Sequence, residues 1–588
     1  MRGVKQYTLG LAAALGWNID VSQAFNAPSD VPTWCGKPYM SSNHSLDPGG
    51  QFQFPAPQND PLLYVTVQPR YSIFLESDDA GSFIVDAAIS HTFGQAYKNA
   101  SFDNIGTNSS NASNAFTTLD FKIHNEENGA LLVSSSVPVN STGNLFGFSF
   151  SSFSPRFQPY EISIYGTSPD GQQTYTGSTQ LYILPSRTYG SAVKIDNLFG
   201  GLYVQNANNS YSGWYSIFPN GGYAGGGQVI PDNITYTPLE TYVAQGYNTI
   251  NIVPDGGLPS QSYPTPTLST YWDLMDTLNL LNIYDMRFAF QNHTRISEQV
   301  ALWQNRSSLL MWYTADEPDG WSYALNSTQA AYDQLKELDP YHPVSLVLNC
   351  QDFYYEEYAA GGDIIFEDAY PVAINATWSN TWDTACNTTY GDCGCDNCIG
   401  ELTDVSDRLD DFARYQGNLG PGVIARKPMW SVLQAFGAQE YWTSIPSVQE
   451  VENMMMLSVN HGAMGITYWI YPSTDDINVG AGALGQVFQT EAVKGFLFGT
   501  HVVQGLEVEG EALVDASAWV LGGKMLVGVA SGQYADESAV VSIELPVGVD
   551  AVEQVLYGNS SWAVEDGKLT KSGLKGLEVS VLVLNISV

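Results

Sequence analysis

The spacing of apolar and polar positions divides the chain into three textures. From about Val31 to Ser186, short runs of β-forming residues such as Leu62 to Val67, Tyr71 to Leu75 and Phe83 to Ala87 are broken by Gly, Asn, Ser and Pro. Breaks about every ten residues predict a β-sandwich, placed at residues 30–190. Gly and Asn then dominate from Asn206 to Asp232, where both helix and strand propensity are poor, so this stretch reads as loop.

Beyond it, strand-like and amphipathic runs alternate. Tyr215 to Pro219 is the candidate first strand, with Leu202 to Gln205 competing for that place. Thr249 to Pro254, Asp285 to Phe290, Leu309 to Thr314 and Pro343 to Leu348 follow as strands two to five, and Asp363 to Phe366, Met429 to Leu433 and Met464 to Trp469 as six to eight. Helices are predicted between them, among them Ser327 to Leu338, whose Leu335 and Leu338 share a face, and a last one at Gln486 to Phe498. Eight strand–helix pairs over residues 195–500 imply a parallel sheet closed into a (β/α)8, or TIM, barrel. Strand texture without helices returns from His501 to Val588 and predicts a second sandwich over 501–588, in whose last strand Leu577, Val579, Val581 and Val583 share one face and Glu578 and Ser580 the other. The fold class is therefore multidomain α/β: a central barrel flanked by two β-sandwiches.

Composition narrows the function. The chain has 588 residues, beyond the size of one core, and its 44% hydrophobic and 14% charged content is that of ordered protein. Lys and Arg number 22 against 60 Asp and Glu, a formal charge of -38, which repels a phosphate backbone and argues against a nucleic-acid partner. Arg2 and Lys5, an apolar run from Tyr7 to Trp17 and the small-residue site Ser22-Gln23-Ala24 have the order of a secretory signal, placed at residues 1–24. That run is short for a membrane span, and no other candidate follows, so a secreted, extracellular, monomeric protein without a membrane partner is expected. Asn-x-Ser/Thr sequons recur from Asn43 to Asn585, as on a glycosylated exterior. Six cysteines, Cys35, Cys350, Cys386, Cys393, Cys395 and Cys398, fit disulfides on a secretory route better than a zinc site, because the Cys393-x-Cys395 spacing is unlike the usual C-x2-C pairs. Their pairing stays open.

In such barrels the chemistry lies at the C-terminal ends of the strands. Here those ends carry carboxylates and aromatics: Asp255 after strand two, Gln291 and Asn292 after three, Asp316-Glu317-Pro318-Asp319 after four and Glu367-Asp368-Ala369-Tyr370 after six. Gln434 ends strand seven, and Trp469-Ile470-Tyr471 strand eight. Carboxylates gathered at a barrel mouth with Arg287 as the one nearby cation need a purpose, since burying them unpaired costs several kcal/mol. Cleaving a glycosidic bond requires two: an acid for the leaving oxygen and a carboxylate that attacks or activates water. Glu317 and Asp368 are the candidate catalytic pair, with Glu440 as the alternative to Asp368 if the strand-seven loop folds back over the mouth, and Asp316, Asp255, Tyr370, Gln434 and Trp469 are candidate substrate-binding residues. No phosphate loop, nicotinamide fingerprint or metal-ligand cluster competes, so neither cofactor nor metal is expected, and His461 reads as a structural donor. Because strands four and six are not neighbours, a wide carboxyl separation, and with it an inverting reaction using Asp368 as base, is expected.

The segment Trp312-Tyr313-Thr314-Ala315-Asp316-Glu317-Pro318 resembles the strand-four Asn-Glu-Pro signature of the clan A glycoside hydrolases, and the chain is similar to secreted fungal proteins assigned to glycoside hydrolases without a substrate. The resemblance implies Glu317 as general acid/base, and a poly- or oligosaccharide substrate. Asp316 stands where the clan has Asn, and Gln434 where strand seven carries the nucleophilic Glu; Glu440 lies six residues further on. These departures keep other readings open: a non-catalytic carbohydrate-binding or cell-wall protein on a degenerate barrel, or a transglycosylase or lyase.

Overall fold

The computed structural model describes residues 33–34, 37–38, 49–98, 115–206, 213–224, 236–254, 265–374, 378–379, 384–385, 394–395, 398–419, 427–439, 441–509 and 513–587. The proposed leader, Cys35, Cys386, Cys393, Asp255 and Glu440 lie outside them.

Eight parallel strands close on themselves: β1 (Asn220–Ala224), β2 (Thr249–Ile252), β3 (Leu281–Asp285), β4 (Leu309–Asp316), β5 (Val344–Leu348), β6 (Ile364–Glu367), β7 (Met429–Gln434) and β8 (Ile466–Tyr471), with β8 paired back onto β1. Helices α1 (Tyr236–Ala244), α2 (Thr265–Leu278), α3 (His293–Trp303), α4 (Ser327–Leu338), α5 (Tyr355–Ala359), α6 (Asp404–Gln416), α7 (Val448–Asn460), α8 (Asp475–Gln489) and α9 (Glu491–Leu497) follow the strands in order. The strands bury both faces, which is why they read as continuous apolar runs.

Two strands depart from expectation. The first barrel strand is neither Tyr215 to Pro219 nor Leu202 to Gln205; those segments join Ser191–Ile195 in a three-stranded antiparallel sheet. β1 lies instead in the Gly-rich stretch read as loop. Its glycines are required by packing: a Cβ at Gly221 would sit 1.9 Å from the Thr249 carbonyl oxygen, and one at Gly222 would sit 2.6 Å from Tyr471 Cβ. Close approach to both neighbouring strands overrides poor strand propensity. The third strand runs from Leu281 to Asp285, and the predicted Asp285 to Phe290 is largely a turn, Ala289 and Phe290 both bonding back to the Met286 carbonyl.

Antiparallel sheets stand on both sides in sequence. Before the barrel, one four-stranded sheet contains Leu62–Pro69, Ala80–Ser90 and Ser141–Ser149 and another contains Thr118–Asn125, Leu131–Pro138, Tyr160–Thr167 and Thr174–Leu181, sharing a core that includes Phe83, Leu119 and Ile164. The three-stranded sheet packs Val193, Leu202 and Val204 against barrel residues such as Leu281, Leu310 and Ile364. It closes the end opposite the C-terminal mouth of the barrel, since Ser191 Oγ donates to the Leu309 carbonyl at the start of β4 at 2.7 Å.

After the barrel, Val514–Leu521, Lys524–Ser531, Val549–Tyr557 and Val579–Ile586 form one sheet, and Glu537–Ile543 and Lys568–Leu574 belong to the other. The last strand is buried on both faces, not polar on one: Leu582 and Leu584 enter the sandwich core, while Val579, Val581 and Val583 join the barrel core beside α7. His461, capping α7, bonds Asp410 at 2.9 Å and Asp515 at 3.1 Å, tying this sheet to the barrel as a structural donor. Cys395 and Cys398 form a disulfide, and Cys350 is also disulfide-bonded.

Candidate active site

β4 ends at Asp316, and the next residue, Glu317, takes φ +50. A non-glycine residue in the left-handed region costs about 1–2 kcal/mol, and here it ends the pleat, so Asp316 and Glu317 no longer point to opposite faces. The loop is held in that shape by the Trp321 N–H donating to the Glu317 carbonyl at 3.0 Å and by buried Asp319, which accepts from Gly320, Asn349 and Cys350 N–H groups at 2.9, 3.3 and 2.8 Å. The second anchor thus runs to the residues just beyond β5.

Asp368 directly follows β6 and is 3% exposed. Its carboxyl and that of Glu317 hydrogen-bond to each other, so one of them carries a proton. Burial, then the charges of Asp368 and Asp316, hold the Glu317 carboxyl well above the usual carboxylate range. Burial pushes Asp368 up to about 8, partly offset by its bond to Glu317. Asp368 Oδ1 is buried and has no hydrogen-bond partner among the described residues. The wide separation expected across non-adjacent strands is therefore not what forms: the bend at Glu317 brings the two carboxyls into contact. Glu367 turns the other way, its carboxyl accepting the Ala369 N–H at 2.8 Å, and burial lifts it to about 7.

Arg287 pairs elsewhere than with Asp368. Its Nη2 and Nε bond Asp285 at 2.7 to 3.1 Å, and Nη1 bonds Asp316 at 2.5 Å. Asp316 also accepts from Tyr313 Oη at 2.7 Å, so it is a braced member of the cluster. The guanidinium lies 5.4 Å from the ring centres of both Tyr223 and Trp469 and 5.8 Å from that of Tyr313. Burial raises Asp285 to about 6 against the opposing pull of Arg287.

Trp469 is partly exposed beside this cluster, whereas Tyr370 is 7% exposed and packed edge-on against Phe436 at 5.0 Å. Tyr370 N–H lies 3.3 Å from Cys395 Sγ, which sets the Cys395–Cys398 disulfide beside the end of β6. Tyr471 packs on Tyr242 beside α1, within the helix layer rather than as a sugar platform. Gln434 is also corrected: its amide is spent on backbone, accepting from Val372 N–H at 2.8 Å and donating to the Val372 and Phe436 carbonyls at 3.0 and 3.2 Å. It braces the loops after β6 and β7 and has no atom left for a ligand.

Sequence reasoning missed Asp285, because strand three was misplaced, and Tyr223, because β1 was read as loop. It also passed over Phe288 and Trp321, 50% and 47% exposed on the loops after β3 and β4; an exposed Trp four residues after the candidate acid was the available signal.

No family model and no curated protein matches the sequence. Solved structures similar to it include an FMN-binding β-glucuronidase from Facaelibacterium prausnitzii L2-6, at 12% identity and TM-score 0.33 over 88% of this chain and 74% of that one. An Anoxybacillus α-amylase matches at 10% identity and TM-score 0.42 over 63% and 98% of the two chains. A GH30 endoxylanase from Clostridium papyrosolvens C71 matches at 10% identity and TM-score 0.39 over 63% and 96%. These structural neighbours are glycoside hydrolases.

Proposed function

We propose that the chain is a secreted glycoside hydrolase that cleaves an extracellular polysaccharide or glycan with Glu317 as general acid and Asp368 as the second carboxylate. The observation that carries the reading is the proton-sharing pair Glu317–Asp368, buried at the C-terminal mouth of a (β/α)8 barrel. The hydrogen bond between the carboxyls favours a short, retaining arrangement, of about 5 to 5.5 Å in such enzymes, over the inverting one of about 6.5 to 9.5 Å. In that arrangement Asp368 Oδ1 attacks the anomeric carbon as the bond to the leaving oxygen breaks, and the Glu317 proton passes to that oxygen. Water, giving its proton to Glu317, then displaces Asp368.

Secretion rests on the leader pattern and the sequons, and the clan A likeness on the strand-four segment. Gln434 at the end of β7 favours the second reading, a carbohydrate-binding protein without turnover. Mass spectrometry of products from a polysaccharide panel separates the two, and proton NMR of the first product anomer tests retention. Bound glycan recovered uncut across the panel would refute the hydrolase reading.

A further inference from the structure

Glycans divide chemically into neutral and anionic ones, and the loops that build this mouth speak to that division. From each barrel strand's end to the next helix, all eight segments together contain a single Lys, Arg or His, namely Arg287. This holds for the whole sequence of those loops, including the long insertion between β6 and α6, which carries Asp383, Asp392 and Asp396 but no basic residue. His293 and Arg295 follow only on α3, where His293 bonds Gln334 of α4 in the helix layer.

Arg287 is not available to a ligand. Three of its nitrogens are taken by Asp285 and Asp316, its side chain is 8% exposed, and aromatic rings enclose the guanidinium. A uronate placed over Glu317 and Asp368 would find no free cation on the strand-end loops to pair with and would lie beside carboxylates already short of neutralisation, an arrangement that is strongly repulsive where water is excluded.

Resting on the glycoside hydrolase reading above, we propose that the subsite over Glu317 and Asp368 takes uncharged sugar residues and rejects uronates. The test uses the full-length protein on matched pairs that differ only in the carboxylate: polygalacturonan and alginate against their carboxyl-reduced forms, and methylumbelliferyl glucosides and galactosides of both anomers against the corresponding uronides. In every pair with a cleaved member, kcat/KM is expected to favour the neutral member by at least about 100-fold, the lower end of what an uncompensated buried charge costs. The discrimination should narrow below about pH 3.5, where the uronate itself takes up a proton. A uronide cleaved as fast as its neutral partner overturns the charge argument while leaving the hydrolase reading intact. No cleavage of either member in any pair, together with none on a wider neutral panel, removes the hydrolase reading and this inference with it.

Discussion

Replacing Asp368 by Asn should abolish turnover and at the same time stabilise the protein at neutral pH. Burial lifts the Asp368 carboxyl from its ordinary 3.8 to about 8, so between those values the folded chain holds a proton that the unfolded chain has released. Folding therefore costs more as pH rises from 3.8 through 8, the reverse of a salt-bridged carboxylate, whose contribution is lost on acidification. At pH 7 about three units separate the unfolded value from the solution pH, which at about 1.4 kcal/mol per unit sets a ceiling near 4 kcal/mol. The proton is shared with Glu317, so the recoverable part is smaller, about 1–3 kcal/mol, or about 2–6 °C in Tm for a barrel of this size. Thermal unfolding of the wild type and Asp368→Asn at pH 3.5 and pH 7 reads this out: the variant should gain at pH 7 and gain little at pH 3.5. An equal gain at both values, or a loss at pH 7, would refute the burial argument.

Glu317→Gln should lower turnover on an unactivated glycan by about 100 to 10,000-fold, measured as reducing ends released, because a positioned acid typically supplies that much. Gln434→Glu should not raise activity and should cost about 2–4 kcal/mol in denaturant unfolding, since it removes two donated hydrogen bonds and adds a buried acceptor. His461 is lowered by burial but raised further by its bonds to Asp410 and Asp515, to about 10, so the stability it contributes is complete below 6.5 and lost as pH rises through 10. His461→Ala should accordingly lower Tm at pH 6 and scarcely at pH 10.5. Residues 195–500 expressed alone should aggregate on gel filtration, because the fragment lacks Ser191, which bonds His342, and the strand carrying Val579, Val581 and Val583, which covers apolar surface at α7.

The barrel was legible because helix and strand periodicities alternate eight times, and a misjudged strand does not change that count. Where the reading slipped, tertiary packing had overruled local preference: β1 tolerates two glycines because nothing larger fits between β2 and β8. β3 begins at Leu281, directly after Asn279 and Leu280, where an apolar run can be taken as the continuing helix. The chain pattern could pick out Glu317 and Asp368 as strand ends, but not their contact, which depends on a single left-handed residue. It could not tell that Arg287 is spent on Asp285 and Asp316, since those bonds join the ends of two strands whose register is a property of the closed sheet.

That left-handed residue also explains how a carboxyl on β4 reaches one on β6 with β5 between them. β5 ends at Leu348, and the N–H groups of Asn349 and Cys350 that follow are held by Asp319, which draws the loop after β4 across the end of β5. With that loop fixed, the turn at Glu317 sends its side chain toward Asp368 instead of along the strand. The backbone strain of about 1–2 kcal/mol and the unneutralised pair are both costs to folding, of the kind found where a fold maintains a reactive arrangement against its own stability. Asp319→Asn tests this chain of contacts: with weaker acceptors for the Asn349 and Cys350 N–H groups the loop should relax, raising Tm little but lowering kcat on glycan with KM nearly unchanged. An unaltered kcat would show that the Glu317–Asp368 contact does not depend on the anchor at β5.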